Sequence, residues 1–250
     1  GLKVLLVDAD TQFGDVGVFL NLKSQTTLSD LVTAVDDLDM ELVENVLATH
    51  DSGLRVLLAP DPVPDNLTHI FDPDAIKAVI EKIAAAYDII IVDTSSRIDP
   101  LNAALFDIAS KIMLVCPPTL AGVKNVRAVL KLFDESDYPP DKSLLVVNHA
   151  IEDRGRGGGG RVTIDTALIE KNLKLTAMAV IPMEERVVLH AINRGVPVIA
   201  ISKDRNRSPI KELLDLAEAV RHLLLGEDDE VVDEDDEKKD TGGLGWFRRL

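Results

Sequence analysis

The sequence predicts an α/β fold in which a mostly parallel sheet is flanked by helices on both faces, and three observations carry that prediction. Apolar runs of strand length alternate with segments of helical period, the signature of repeated βα units. Two of those runs, KVLLVDAD from Lys3 and DIIIVDTSS from Asp88, are apolar at consecutive positions, as in strands covered on both faces. Both runs end in aspartate, at the carboxyl end of a strand, where open parallel sheets place their ligands.

Taken in chain order, apolar runs place strands near residues 2–8, 53–59, 88–93, 111–116, 143–148 and 176–181, with a shorter run at 197–201. Between them, helical spacing of apolar residues places helices near 28–35, 39–49, 73–86, 100–109, 121–134, 164–173, 184–194 and 209–225. Thr27, Asp72 and Ser208 are expected to cap three of these helices, with Pro209 at a first helical position. Residues 154–161, RGRGGGGR, break the rhythm and read as a loop. The expected organisation is a folded domain over 1–225, an acidic flexible linker over 226–243 and a short amphipathic segment over 244–250.

Composition narrows the function classes. At 250 residues with 46% apolar content, the chain can bury a sizeable core. The single cysteine, Cys116, excludes a disulfide within the chain and points to a reducing compartment, so the cytoplasm is the expected location. The net charge of −16 argues against nonspecific nucleic-acid binding, and no direct nucleic-acid partner is expected. Glu227–Asp240 holds ten acids and two lysines, a net of −8, so half of the acidity belongs to the tail.

The candidate chemistry lies at the two strand ends. Asp8 and Asp10 are two residues apart on an extended chain and share a side of it, and Asp93 closes four consecutive apolar residues. Converging carboxylates at one sheet edge suit a hydrated Mg²⁺ carried on a phosphate. Such a site also needs a glycine-rich loop with a lysine, and no G-x-x-x-x-G-K-S/T occurs in the 250 residues. At Gly155 the two glycines of that pattern are present, but Arg161 and Val162 stand where the lysine and hydroxyl residue belong, so a surface loop is the better reading. The chain begins with Gly1 and is inside an apolar strand by Lys3. It is therefore expected to be a fragment whose preceding element carried the phosphate loop. Cys116, at an apolar strand end, is expected to be a buried structural thiol, and the histidines show no ligand spacing.

At this point a resemblance becomes specific. VLLVDADTQFGDVGVFLNL followed by TLSDLV, then YDIIIVDTSS, VVNHA and IPMEERVVLHAINRGVPVI, resembles the MinD/ParA family of deviant-Walker P-loop ATPases, and within it the CpaE/TadZ branch of pilus assembly. The resemblance spans about residues 2–225 and implies a P-loop NTPase-like fold whose first strand and phosphate loop lie outside this chain. It implies ATP and Mg²⁺ as cofactors, with Asp8 and Asp93 holding the metal through water and Asp10 orienting the attacking water. Thr94 would begin the switch after Asp93, Asn148 would read adenine, and Pro182, Met183 and Glu184 would lie beside the base. An asparagine at a strand end is otherwise usually a turn former. The missing strand would belong beside Asp93's strand, and its absence would leave backbone donors and acceptors unpaired there.

The implied activity is an ATP-dependent, dimerising, positioning ATPase, a homodimer when ATP-bound, with pilus or secretion machinery as partners. The alternative is a nonhydrolysing scaffold of the same fold. A phosphoacceptor receiver domain, which also pairs acids with a later strand-end aspartate, is disfavoured because an extra strand intervenes between Asp8 and Asp93. In the last segment, helical geometry gathers Trp246, Phe247 and Leu250, with Leu244 beside them, away from Arg248 and Arg249. That face suits a weak membrane contact, peripheral at the inner face of the membrane, with docking onto a protein partner or a disordered end as the alternatives.

Overall fold

A computed structural model describes residues 1–60, 72–151 and 163–226. The described residues form two compact units, one of 1–109 with 191–197, the other of 110–190 with 198–226.

In the first unit, four strands pair in the order β2–β3–β1–β4: β1 Val4–Asp8, β2 Ala48–Thr49, β3 Arg55–Leu57 and β4 Ile89–Asp93. β1 runs parallel to β3 on one side and to β4 on the other, with Val4 opposite Ile89 and Asp8 opposite Asp93. The helices of this unit are α1 Val16–Phe19, α2 Leu28–Thr33, α3 Met40–Val46, α4 Pro73–Ala84 and α5 Pro100–Ile108. The unbroken apolar run of β1 has a physical reason: Leu5 and Val7 are fully buried, in a core with Leu28, Leu31, Leu57, Ile76 and Ile83. α4 opens with the Asp72 carboxylate accepting the Asp74 amide and Pro73 in the first turn, and buries Ile76, Val79, Ile80 and Ile83. Each such side chain contributes about 1.5–3 kcal/mol relative to exposure.

In the second unit, β5 Ile112–Cys116, β6 Ser143–Ala150 and β7 Ala177–Pro182 pair in parallel in that order. α6 Leu120–Glu135, α7 Thr166–Leu173 and α9 Ile210–Leu225 belong to it, and α8 spans Glu185–Ile192. The thiol of Cys116 is fully buried, and burial pushes it up from its ordinary value, as expected of a structural cysteine.

Among the described residues β4 pairs only with β1 and β5 only with β6, so each has one free edge. β4 is apolar at every position up to Asp93, yet Ile91 is 51% exposed, and Val115 of β5 is 54% exposed. Residues of a doubly covered type therefore stand uncovered at both edges.

Three expectations are corrected. The helix expected over 39–49 ends at Val46, and Ala48 and Thr49 turn extended to pair antiparallel with Val56 and Arg55. Arg55 fixes that hairpin by reaching the Glu44 carboxylate at 2.6 Å and the Thr49 hydroxyl. The apolar run at 197–201 forms a 3-10 turn over Val198–Ala200 instead of a strand. Pro197 brings no N–H to a ladder, and Ile201 closes the turn onto the Val198 carbonyl. The last helix starts at Ile210, with Pro209 outside it, and Ser208 bonds the Glu212 side chain rather than capping a backbone amide. By contrast Thr27 does begin α2, the Asp30 carboxylate accepting its backbone N–H at 2.7 Å. The expected loop over 154–161 and the segments 227–243 and 244–250, including Leu244, Trp246, Phe247 and Leu250, lie outside the described residues.

Candidate functional site

The carboxyl end of β1 is built around a buried acid. Asp8 is 1% exposed, at the last position of β1. Its two oxygens organise the chain that follows: Oδ1 accepts the Asp10 amide at 3.2 Å and Oδ2 accepts the Val16 amide at 3.1 Å. The second bond fixes the start of α1, a four-residue helix that its own sequence, with Gly17 inside it, favours weakly. Asp10 repeats the device one step on, its Oδ1 accepting the amides of Gln12 and Phe13, each at 3.1 Å. The segment from Asp8 to Val16 is thus wound about two carboxylates.

Asp93 stands beside them. It is the partner of Asp8 in the β1–β4 register, and its carbonyl accepts the Ala9 amide at 2.8 Å, which ties the two strand ends together. Neighbouring parallel strands lie about 4.8 Å apart, so the two backbones bring both acids to one edge of the sheet. The electrostatics agree. Burial pushes the Asp8 carboxyl up to about 6, with the Asp93 and Asp10 charges adding to it and the two backbone amides opposing it. The Asp93 carboxyl is also raised, first by desolvation and then by Asp10 and Asp15. No ion pair among the described residues involves Asp8, Asp10 or Asp93. The uncompensated negative charge and all-oxygen donor set fit a hard divalent cation. Among the described residues no group of three or more His, Cys, Asp and Glu side chains is placed to hold a metal ion.

This arrangement sets a pH dependence with a definite sign. Asp8 binds its proton more tightly in the fold than in the unfolded chain, whose carboxyl has the ordinary value of 3.8. Stability is unaffected by it below that value, falls as pH rises to about 6, and stays lower by on the order of 3 kcal/mol above. Urea unfolding of the metal-free chain is expected to show this loss between pH 4 and 6, and Asp8→Asn to reduce it. An identical pH profile in the variant would contradict the placement of Asp8.

The remaining sequence-predicted residues are placed as follows. Thr94 follows Asp93 directly, and its backbone amide works against the upward push of burial on the Asp93 carboxyl. Asn148, Pro182, Met183 and Glu184 lie in the second unit, at the carboxyl ends of β6 and β7. There Asn148 pairs with Ile181 and Ala150 with Pro182, and the Met183 amide donates to the Ala150 carbonyl at 2.8 Å. The Asn148 side chain accepts the His149 amide, and His149 has a φ of +64°. The register shift between Asn148 and Ala150 is thus a bulge within β6. Glu184 precedes α8 and its carbonyl accepts the Val187 and Val188 amides.

Sequence reasoning missed Gly14, Arg97 and Asn102. A Cβ at Gly14 would lie 2.3 Å from Ala59 Cβ and 2.7 Å from Asp8 Oδ2, so glycine is what lets the loop pass the buried carboxylate. The Gly in QFGD was a visible signal; nothing in the sequence marked Asn102.

No family model matches the chain. It is 25% identical over 223 residues to the septum site-determining protein MinD of Thermotoga maritima, covering 88% of this chain and 78% of that protein. Among solved structures it is similar to a ParA family ATPase from Chlorobium tepidum, with a TM-score of 0.74, 23% identity and coverage of 88% of this chain and 86% of that one. It is also similar to MinD from Pyrococcus horikoshii complexed with Mg-ADP, with a TM-score of 0.71, 20% identity and coverage of 89% and 85%. The chain has the MinD/ParA-type, P-loop NTPase-like α/β fold.

Proposed function

We propose that this chain belongs to an ATP- and Mg²⁺-dependent ATPase of MinD/ParA type that positions a cellular assembly. The observation that supports this most is the pairing of Asp8 with Asp93 at the ends of adjacent parallel strands, with Asp10 two residues on. The likeness to a MinD complexed with Mg-ADP adds to it. Bound Mg²⁺ would offset the charge of the nucleotide phosphates. Asp8 and Asp93 would hold its water shell, Asp10 would orient the attacking water and Thr94 would respond to the nucleotide state. Asn148 with Pro182, Met183 and Glu184 would recognise adenine, and residues 1–225 would act as one ATPase domain.

In this reading ATP closes a homodimer and hydrolysis opens it, so nucleotide state controls location or partner choice. The QFGD and NRG-VP stretches favour the pilus-assembly branch, with pilus or secretion proteins as partners and a cytoplasmic body. Leu244, Trp246, Phe247 and Leu250 would give a weak, peripheral membrane contact, strengthened when two copies dimerise. Unchanged sedimentation with anionic liposomes in a Trp246→Asp, Phe247→Asp variant of an ATP-bound dimer would sink that part.

The alternative reading is a nonhydrolysing scaffold of the same fold that localises a pilus or secretion complex. Reading the coding sequence ahead of Gly1 decides between the two. A glycine-rich loop with lysine there supports the ATPase; a degenerate loop supports a nonhydrolysing scaffold.

A further inference from the structure

Among the described residues only Asp8, Asn102 and Ser143 are buried polar side chains, and Asn102 has no part in the chemistry proposed above. It sits in the first turn of α5, where the Asp99 carboxylate accepts its backbone amide at 2.9 Å. Its side-chain Nδ2 donates to the Ser95 carbonyl at 2.9 Å and the Arg97 carbonyl at 2.5 Å, with the Ser95 hydroxyl 3.3 Å away. The segment after β4 is thereby pinned to the helix from below. Among the described residues Asn102 Oδ1 has no partner, a cost that an apolar side chain of the same size would not carry, so what this position gains from asparagine is the donor.

From that anchor the contacts lead across to the first loop. With its carbonyl held, Arg97 extends its guanidinium to the Gln12 side chain, Nη1 donating to Oε1 at 3.0 Å. Gln12 in turn gives its backbone N–H to the Asp10 carboxylate. The loops after β1 and β4 are thus joined twice, at their bases by the Ala9 amide on the Asp93 carbonyl and at their tips by Arg97 on Gln12.

The geometry points to Asn102 as a positioning residue that acts through Arg97 and Gln12 to hold the Asp10 loop beside the end of β4. A change at the acid cluster would thereby be felt by the first turn of α5. This inference rests on the reading of the acids as a cation site for its functional meaning, but the latch itself is a property of the chain.

The test uses the full chain and the variants Asn102→Ala, Arg97→Ala and both together. The first readout is hydrogen exchange at the Gln12 and Phe13 amides, both held by Asp10. Each single variant is expected to speed exchange there by about tenfold, and the double variant no more than either, as residues acting in one chain of contacts are non-additive. The second readout is the Mn²⁺ concentration that half-broadens the Asp8 and Asp93 amide signals, expected to rise several-fold in the same variants.

Unchanged exchange at Gln12 and Phe13 in Asn102→Ala, whatever happens to its unfolding midpoint, would overturn the proposal. So would additive effects in the double variant. Should Asn102→Ala not fold, Arg97→Ala carries the test, since Arg97 is exposed and its loss leaves the core intact. A wild-type chain that shows no Mn²⁺ broadening at Asp8 and Asp93 would instead count against the cation site, while the exchange data still judge the latch.

Discussion

Mixed with ATP and Mg²⁺, the 250-residue chain is expected to release phosphate no faster than buffer does. Phosphoryl transfer depends almost entirely on positioning and charge stabilisation, supplied by a loop of backbone amides and a lysine around the β- and γ-phosphates. The nearest approach in this sequence, RGRGGGGRV, has arginine and valine at the two positions that would touch phosphate and Mg²⁺. The acids at Asp8, Asp10 and Asp93 could accommodate a cation but would repel an uncradled triphosphate. A longer chain that carries a strand, a lysine-bearing phosphate loop and a helix ahead of these residues is expected to bind and turn over ATP. In that longer chain Asp10→Ala should slow turnover by about 10²–10⁴-fold while nucleotide stays bound, the loss typical of a removed group that positions or activates water. Phosphate release at an ordinary rate by the 250-residue chain alone would refute the need for a lysine-bearing phosphate loop.

Gly14→Ala is expected to cost about 1–3 kcal/mol, the range for overpacking a filled site. Neither neighbour of the added methyl can step aside easily. Ala59 Cβ is attached directly to its backbone, and the Asp8 carboxylate is fixed by the amides of Asp10 and Val16. The 3.1 Å approach to the Asp10 carbonyl closes the third direction. For a chain of this size each kcal/mol lowers the melting temperature by roughly 2–4 °C. A drop in Tm accompanied by loss of the Asp8 pH dependence would place the strain at the carboxylate, and an unchanged Tm would show that the loop is not packed as described.

The parts of the fold that the sequence announced are those in which local pattern and burial agree. β1 and β4 were legible because consecutive apolar residues run to an aspartate, and α4 because its cap, its proline and its apolar spacing coincide. Where tertiary pairing overrode local pattern, the reading failed. Ala48 and Thr49 continue an apolar helical period, yet pairing with β3 and the reach of Arg55 draw them into a hairpin. Val198–Ala200 reads as a strand, but a strand needs a neighbour to pair with and a donor at each step, and Pro197 brings none.

The site was half legible for the same reason. Asp8, Asp10 and Asp93 declare themselves by ending strands. The groups that hold them, Gly14 under the carboxylate and Asn102 behind the second loop, work through contacts between segments far apart in sequence. α1 is the sharpest case: its sequence offers little reason for a helix, and its start is set by a carboxylate eight residues earlier.

The most direct test of the acid cluster is a Mn²⁺ titration followed by amide NMR. If Asp8, Asp10 and Asp93 form one cation site, the Asp8–Phe13 and Asp93–Ser95 signals should broaden together and saturably. Asp8→Asn combined with Asp93→Asn should abolish that broadening without touching the signals of the acidic run at 227–240. Broadening of these amides no stronger than that of the surface acids Asp36 and Asp37, or unaffected by the double substitution, would show that the three carboxylates do not act as one site.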